Sequence, residues 1–254
     1  MIIDSHCHAG PGDGLSGPWN TRAPLRDHLR RARRAGIGRT VLFAALHTDY
    51  SLANVGVARL VTARPDLFYG YAFVHARRDA GRIAQMVGRA VREWGFCGIK
   101  LHGHDAQATR EVAEAARLYS LPLLWDVVGK VERAGLLASE YPDVPIVLPH
   151  LGSFADDWRA HQATIDLMMR LPNVYTDSSG VKRFDFLVQL VRRVGPERLL
   201  FGSDGPWLHP GLELAKIRAL GLPRQAEAAV LGGNFLQLTA AARQQRTGQV
   251  AVLA

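Results

Sequence analysis

The amino-acid sequence predicts an α/β protein, a single (β/α)8 TIM barrel with additional C-terminal helices. The chain has 254 residues, 48% of them hydrophobic, which suits one large domain spanning residues 1–254. Eight short apolar runs alternate with segments of helical periodicity, as expected for parallel strands that are buried on both faces. An open doubly wound sheet is the alternative, but no glycine-rich phosphate turn follows the first strand in the expected spacing.

The predicted elements follow one another regularly along the chain. Pro24 suits the first turn of the first helix, and Gly36 ends that helix after about Ala35. Strands are predicted at residues 2–8, 39–45, 67–74, 96–101, 122–126, 144–150, 173–177 and 198–204. Further helices are predicted at residues 51–63, 80–94, 107–119, 130–139, 158–170, 184–194, 212–220 and 224–240.

Charge and cysteine content narrow the class of protein. The formal net charge is +8, but the arginines are spread along predicted helices, and no basic stripe is interleaved with aromatic residues. We therefore expect solvated helix faces and no nucleic-acid partner. Two cysteines make no disulfide framework. Cys7 alternates with His6 and His8, so it should point away from them and be a small buried hydrophobe.

The hydropathy pattern gives no sign of a membrane or an export signal. No apolar run approaches the ~20 residues that span a bilayer. No basic segment precedes an apolar stretch at the N-terminus, so a cytoplasmic location is expected. A homodimer stays open, because such barrels commonly pair.

The segment from Ile2 to His8 contains the first candidate site. Its two histidines, His6 and His8, are spaced i, i+2, so both side chains point to the same face of a strand. Two neutral imidazoles placed side by side can bind a metal ion. Incidental histidines on an N-terminal strand are the alternative, which this spacing alone leaves open.

Polar residues also end other predicted strands. Lys100 ends the fourth strand, Asp126 the fifth, His150 the sixth and Asp204 the eighth. In a (β/α)8 barrel the carboxyl ends of all strands meet at one rim, where catalytic groups lie. We therefore expect these side chains to share one site with His6 and His8.

Several motifs, taken in order, resemble the amidohydrolase superfamily, specifically its amidohydrolase-2 group of metal-dependent TIM-barrel hydrolases and decarboxylases. The resemblance covers nearly the whole chain. The motifs are IDSHCH at 3–8, GIKLH at 98–102, PIVLPHLG at 145–152, NVYTDSS at 173–179, RLLFGSDGP at 198–206 and LGGN at 231–234.

The resemblance implies a role for each matching residue. It implies that His6 and His8 are metal ligands and that Asp204 touches the metal and its water. It implies that His150 polarises the substrate or moves a proton. It implies one divalent ion, with zinc as the first expectation and manganese as the second.

The chain departs from the family pattern at the end of the fifth strand, where the usual histidine ligand is replaced by Asp126. Three interpretations stay open. Asp126 is an oxygen ligand of the metal, it pairs with Lys100, or the metal site is weak or lost. The resemblance also raises carbamylation of Lys100, but we prefer a plain cationic lysine.

The expected function is hydrolysis of an amide, lactone or related carbonyl bond of a small molecule by metal-activated water. In this hypothesis Asp204 moves the proton and His150 stabilises the oxyanion. The substrate is expected to carry a carboxylate, and the candidate substrate-binding residues are Lys100, His102, Arg22 and Trp19. The alternative is non-oxidative decarboxylation of an aromatic or unsaturated acid on the same scaffold. A catalytically inert barrel that binds a ligand or nucleic acid is a third reading.

Overall fold

Parallel strands alternate with helices throughout the computed structural model, which describes residues 1–13, 22–154 and 157–244. Its strands are β1 (Ile2–Pro11), β2 (Arg22–Ala23), β3 (Ile37–Ala44), β4 (Phe68–Gly70), β5 (Ala72–Phe73), β6 (Ile99–His102), β7 (Leu123–Asp126), β8 (Ile146–Leu148), β9 (Val174–Asp177) and β10 (Leu199–Leu200). They are mostly buried, as the continuous apolar runs predict.

The helices surround these strands. They are α1 (Leu25–Arg34), α2 (Tyr50–Ala63), α3 (Ile83–Trp94), α4 (Arg110–Leu118), α5 (Val131–Glu140), α6 (Trp158–Arg170), α7 (Phe184–Arg193), α8 (Pro210–Ala219), α9 (Arg224–Ala228) and α10 (Asn234–Leu238). Within the described ranges, none of the helices combines the length and the apolar character needed to cross a membrane.

Hydrogen bonds join two runs of parallel strands into one barrel. One run has the order β1–β3–β4, with β2 antiparallel at its outer edge, and the other runs from β5 to β10 in sequence order. The segments β4 and β5 form a single third barrel strand, interrupted at Tyr71, whose N–H still donates to Leu42 (3.0 Å). At the other seam, Ser5 N–H donates to the Phe201 carbonyl (2.9 Å). These contacts confirm the predicted eight-stranded barrel.

Two predicted strands end earlier than expected, and this changes where their terminal residues lie. β8 stops at Leu148 because Pro149, which follows it, has no N–H to donate to a neighbouring strand. The chain then makes a tight turn over Pro149–Gly152. β10 likewise stops at Leu200. His150 and Asp204 therefore lie in turns beyond the strands, with left-handed φ values of 58° and 52°.

The last predicted helix is also interrupted. It was predicted to run over residues 224–240, but a wider π turn at Ala229–Gly233 separates α9 from α10. Gly232 lies against the start of β1, where an added Cβ would come within 2.7 Å of the Met1 carbonyl oxygen. The absence of a side chain at this position thus lets the C-terminal helices cover the amino end of the barrel.

A cavity with a candidate metal centre

A cavity of about 290 Å³ opens among the residues that follow the carboxyl ends of the strands. It is lined by His6, His8, Leu46, Lys100, His102, His104, Asp126, Val128, His150, Ser153, Phe154, Asp204 and Trp207. The structure thus brings together all six polar residues predicted from strand ends, together with His102. Two other residues were also predicted to bind substrate, and their outcomes are different. Arg22 is exposed on β2 and does not line the cavity, and Trp19 lies outside the described residues.

His6, His8 and Asp204 form a compact cluster of potential metal ligands. Asp204 Oδ1 lies 3.4 Å from His6 Nε2 and 3.7 Å from His8 Nε2. One ligand atom from each residue falls within 4.8 Å of the other two. All three side chains are buried, so a cation held here would be largely shielded from solvent.

Hydrogen bonds fix both imidazoles with Nε2 facing the cluster. His6 Nδ1 donates to Asp177 Oδ2 (2.7 Å), and His8 Nδ1 donates to the Ala44 carbonyl (2.9 Å). The neutral form of each ring then presents the lone pair of Nε2 toward Asp204. Buried His6 Nε2 has no hydrogen-bond partner among the described residues. Three converging acceptors without a donor fit a divalent cation.

The electrostatics of the cluster agree with this assignment. Burial lowers the pKa of His6, and it lowers the pKa of His8 well below the usual value, helped by nearby Lys100. Both rings are therefore neutral, as metal ligation requires. Burial raises the pKa of Asp204 well above its usual range, with Asp177 and Asp126 adding to the effect. A divalent cation would offset this penalty and favour the carboxylate.

Asp177, at the end of β9, supports two parts of the site at once. One carboxylate oxygen accepts from His6, and the other accepts from the backbone N–H groups of His150 (3.1 Å) and Ser179 (3.0 Å). Burial alone would raise the pKa of Asp177, but His6 and His150 hold it well below its usual range. A role for Asp177 was not predicted, although its position at a strand end was an available signal.

Asp126 lies on the other side of the cavity and is not one of the three clustered ligands. Its Oδ2 is 3.2 Å from His102 Nε2 and 3.7 Å from His150 Nε2, and its Oδ1 accepts from Val128 N–H (2.9 Å). Burial opposes ionisation, but His102, His150 and Lys100 hold the pKa of Asp126 well below its usual range. Asp126 therefore contacts histidines rather than pairing with Lys100.

Lys100 is fully buried between these two groups of residues. Its Nζ lines the cavity without a hydrogen-bond partner among the described residues, 5.1 Å from the centre of the Phe43 ring. Burial lowers the pKa of Lys100, whereas Asp126, Asp177 and Asp204 raise it. An unpartnered buried amine is costly for the fold, and a substrate anion would satisfy it.

Aromatic side chains form two walls that sequence reasoning missed. The Trp207 ring lies 4.5 Å from the His8 ring, and the Phe154 ring lies 5.1 Å from the His150 ring. Trp207 is held by a hydrogen bond from its Nε1 to the Arg22 carbonyl (3.2 Å). Neither residue belongs to a motif. Together with Leu46 and Val128, these rings give the cavity apolar walls that suit a flat ligand.

The remaining histidines have structural positions. His28 and His161 are buried within helices, and His161 Nδ1 donates to the Leu151 carbonyl (3.1 Å). Three histidines in strand-end loops accept backbone N–H groups of their own turns: His47, His75 and His209. They do not line the cavity. Cys7 is fully buried, as expected of a small hydrophobe.

The barrel and its ligand cluster define a metal-binding α/β-barrel enzyme, and a comparison with protein families gives the particular family. The family model described as Amidohydrolase matches residues 3–238. The chain therefore belongs to this amidohydrolase family, which confirms the resemblance drawn from the motifs.

A curated relative has a more specific description. The chain is 25% identical over 215 residues to the gamma-resorcylate decarboxylase of Rhodococcus jostii (strain RHA1). The match covers 61% of this chain and 65% of that relative, which is slightly under two thirds of the relative's length.

Solved structures share the fold over nearly the whole chain. The 5-carboxyvanillate decarboxylase of Sphingomonas paucimobilis is 17% identical, with a TM-score of 0.74 over 94% of this chain and 99% of that one. The dihydroxybenzoic acid decarboxylase of Polaromonas sp. JS666, solved with bound manganese and the inhibitor 2-nitroresorcinol, is 16% identical. Its TM-score is 0.71 over 94% of this chain and 96% of that one. At these identities the likeness establishes the fold alone.

Proposed function

We propose that the protein is a metal-dependent decarboxylase that removes CO2 from a small aromatic carboxylic acid. The sequence made hydrolysis the first expectation and decarboxylation the alternative. The relatives favour the alternative, because those named here are decarboxylases of aromatic acids. One of them was solved with manganese, so manganese replaces zinc as the metal to test first.

The observation that supports this proposal most directly is the combination of groups in one small cavity. Three acceptors converge in it, and its lining also includes two aromatic rings and a lysine that has no hydrogen-bond partner among the described residues. Such a cavity fits a flat acid whose carboxylate meets a cation and whose ring packs against apolar walls.

The metal ion would be held by His6, His8 and Asp204, and it would supply a Lewis acid that draws charge toward substrate oxygens. The Lys100 ammonium attracts the negatively charged carboxylate of the acid and keeps the acid in the buried part of the cavity. Trp207 and Phe154 orient the ring. When the bond between the ring and the carboxyl carbon breaks, its electron pair stays on the ring carbon. The carbon takes up a proton that comes from water, and Asp204 would relay it.

The hydrogen bonds of His150 favour an acceptor role over the oxyanion role expected from the sequence. His150 Nδ1 donates to the Ser179 carbonyl (2.8 Å), so the neutral ring offers only a lone pair at Nε2. Burial lowers the pKa of His150 to about 4, with His6 adding to the effect. The ring is thus an acceptor at neutral pH and has no proton at Nε2 with which to stabilise an oxyanion.

Isotope labelling tests the proposed reaction. Manganese-loaded protein is incubated in D2O with hydroxybenzoic acids that carry ¹³C in the carboxyl group. We expect ¹³CO2 release and one deuterium at the carbon that lost the carboxyl group. Lactones and amides incubated in ¹⁸O water provide the comparison. Incorporation of ¹⁸O into a product, without CO2 release from any acid, would contradict the proposal and restore hydrolysis.

A further inference from the structure

Two hydrogen-bond acceptors lie close together in the cavity, and no described residue donates to both of them. Asp126 Oδ2 and His150 Nε2 are 3.7 Å apart, and both residues line the cavity and are almost fully buried. Two acceptors at this distance repel each other unless a third group donates to them.

The acceptor character of His150 Nε2 follows from its backbone contact. A carbonyl oxygen can only accept, so the bond between His150 Nδ1 and the Ser179 carbonyl places the ring proton on Nδ1. The Ser179 hydroxyl lies 3.0 Å from the same nitrogen, and its own proton goes to Asp177 Oδ1 (2.5 Å). The hydroxyl is therefore a second acceptor for Nδ1–H, which leaves Nε2 with its lone pair.

The state of Asp126 is fixed in the same way. The backbone N–H of His104 donates to His102 Nδ1 (3.2 Å), so the neutral His102 ring carries its proton on Nε2, which faces Asp126 Oδ2 at 3.2 Å. Val128 N–H donates to Asp126 Oδ1. Both donors stabilise a carboxylate, whose Oδ2 has lone-pair capacity left for a ligand.

The protein supplies no donor to this gap among the described residues. Lys100 also lines the cavity, but its Nζ has no hydrogen-bond partner in the described part of the chain and so does not reach either acceptor. A metal ion does not fit His102 in this arrangement, because its Nε2 carries a proton and its Nδ1 is occupied. The gap therefore suits a neutral O–H or N–H group of a ligand.

We infer that Asp126 and His150 form an acceptor pair that selects aromatic acids bearing a hydrogen-bond donor, a hydroxyl or amino group, on the ring. This inference rests on the proposed function for the aromatic acid, and it assigns Asp126 to substrate selection rather than to the metal. A hydroxyl would donate to one acceptor, whereas an amino group would donate to both. A methyl group of similar size would leave His150 Nε2 without a donor and would not use the remaining lone pair of Asp126 Oδ2, which a site of this kind rejects.

The test is a comparison of ligands and variants by calorimetry on the manganese-loaded full chain. The ligands are the ortho, meta and para isomers of hydroxy-, amino- and methylbenzoate. For at least one ring position, we expect wild-type protein to bind the hydroxy or amino acid at least tenfold more tightly than the methyl acid. The hydroxy and amino arms identify which donor the pair prefers.

The Asp126→Asn variant should reduce this preference to less than threefold. An asparagine side chain has an NH2 group of its own, which can donate to His150 Nε2 and fill the gap. Because a ring hydroxyl can also reach the metal cluster, the difference between wild type and variant isolates the acceptor pair. Asp105→Asn is the matched control, since it removes a neighbouring carboxylate that does not line the cavity and should keep the full preference.

The inference would be overturned if methyl acids bound as tightly as donor-bearing acids, or if the preference survived in Asp126→Asn. Equal loss in Asp105→Asn would overturn it as well, because charge alone would then explain the effect. If none of the nine acids bound, both the acceptor pair and the proposed aromatic substrate would be overturned. A preference lost in Asp126→Asn without CO2 release from any acid would retain the pair and overturn only the proposed reaction. CO2 release without any preference for donor-bearing acids would overturn the pair and retain the proposed reaction.

Discussion

His102, on one side of the cavity, is in the opposite hydrogen-bonding state to His6 and His8 on the other side. On one side, His6 and His8 donate from Nδ1 to Asp177 and to a backbone carbonyl, so their Nε2 atoms are acceptors directed at Asp204. On the other side, a backbone N–H occupies Nδ1 of His102, so its Nε2 donates to Asp126. The groups behind each ring, rather than the ring itself, thus decide which side suits a cation.

This comparison explains why one aspartate is a candidate ligand and the other is not. Asp204 faces two lone pairs, and burial raises its pKa well above the usual range. Asp126 faces a donor, and its pKa is held well below the usual range despite burial. A cation is needed to stabilise the first carboxylate, whereas the protein already stabilises the second.

Substituting Asp204 should give the largest effect. Asp204→Asn removes both a candidate ligand and the group proposed to relay the proton, so we expect turnover to fall by about 10²–10⁴-fold, the usual contribution of general acid–base catalysis. Steady-state CO2 release by manganese-loaded protein measures this. Asp105→Asn serves as the control for loss of one nearby carboxylate. A rate within tenfold of wild type in Asp204→Asn would remove Asp204 from the chemistry.

Substituting Lys100, which lies between the two sides, should weaken the binding of the substrate acid and leave the fold intact. Lys100→Met removes the cation that meets the substrate carboxylate, so we expect the affinity for the acid to fall by roughly 10–100-fold, as for loss of a charged hydrogen bond. Calorimetric titration with a substrate acid measures this change. Lys130→Met, at an exposed lysine outside the cavity, should bind as wild type. Unchanged affinity in Lys100→Met would place the carboxylate elsewhere.

A smaller effect concerns the acceptor state of His150. Its pKa is about 4 in the folded protein against 6.5 for an ordinary histidine, so between these pH values the unfolded chain binds a proton that the folded one excludes. This difference in proton binding makes the folded protein lose stability as pH falls from 6.5 toward 4. In metal-free protein, urea unfolding at pH 6.5 and 4.5 should therefore show a smaller loss for His150→Gln than for wild type. Over this pH interval the difference should be up to roughly 2 kcal/mol. A larger loss in the variant would contradict the neutral ring.

The sequence predicted the fold and the convergence of His6, His8 and Asp204 for a physical reason. Buried parallel strands are continuous apolar runs, and the barrel brings their ends to one rim. The i, i+2 spacing of His6 and His8 on a strand fixes that they share a face. The position of Asp204 followed from the eighth apolar run, although the residue proved to lie in a turn beyond β10.

The other side could not be predicted from such patterns. The state of His102 depends on the backbone N–H of His104, and that of His150 depends on the Ser179 carbonyl of another strand-end loop. Trp207 and Phe154 belong to loops with no periodicity, so nothing marked them as cavity walls. The position of Asp126 in the chain therefore left three interpretations open, and only the hydrogen bonds around it favour substrate contact over metal ligation.

The most direct test of the difference between the two sides is metal stoichiometry in three proteins. Wild type, Asp204→Asn and Asp126→Asn are purified untagged, loaded with Mn²⁺ or Zn²⁺, dialysed and analysed by mass spectrometry for bound metal. We predict close to one equivalent in wild type and in Asp126→Asn, and loss of most of the metal in Asp204→Asn. Equal loss of metal in Asp126→Asn and Asp204→Asn would contradict the account, because it would make Asp126 a ligand after all.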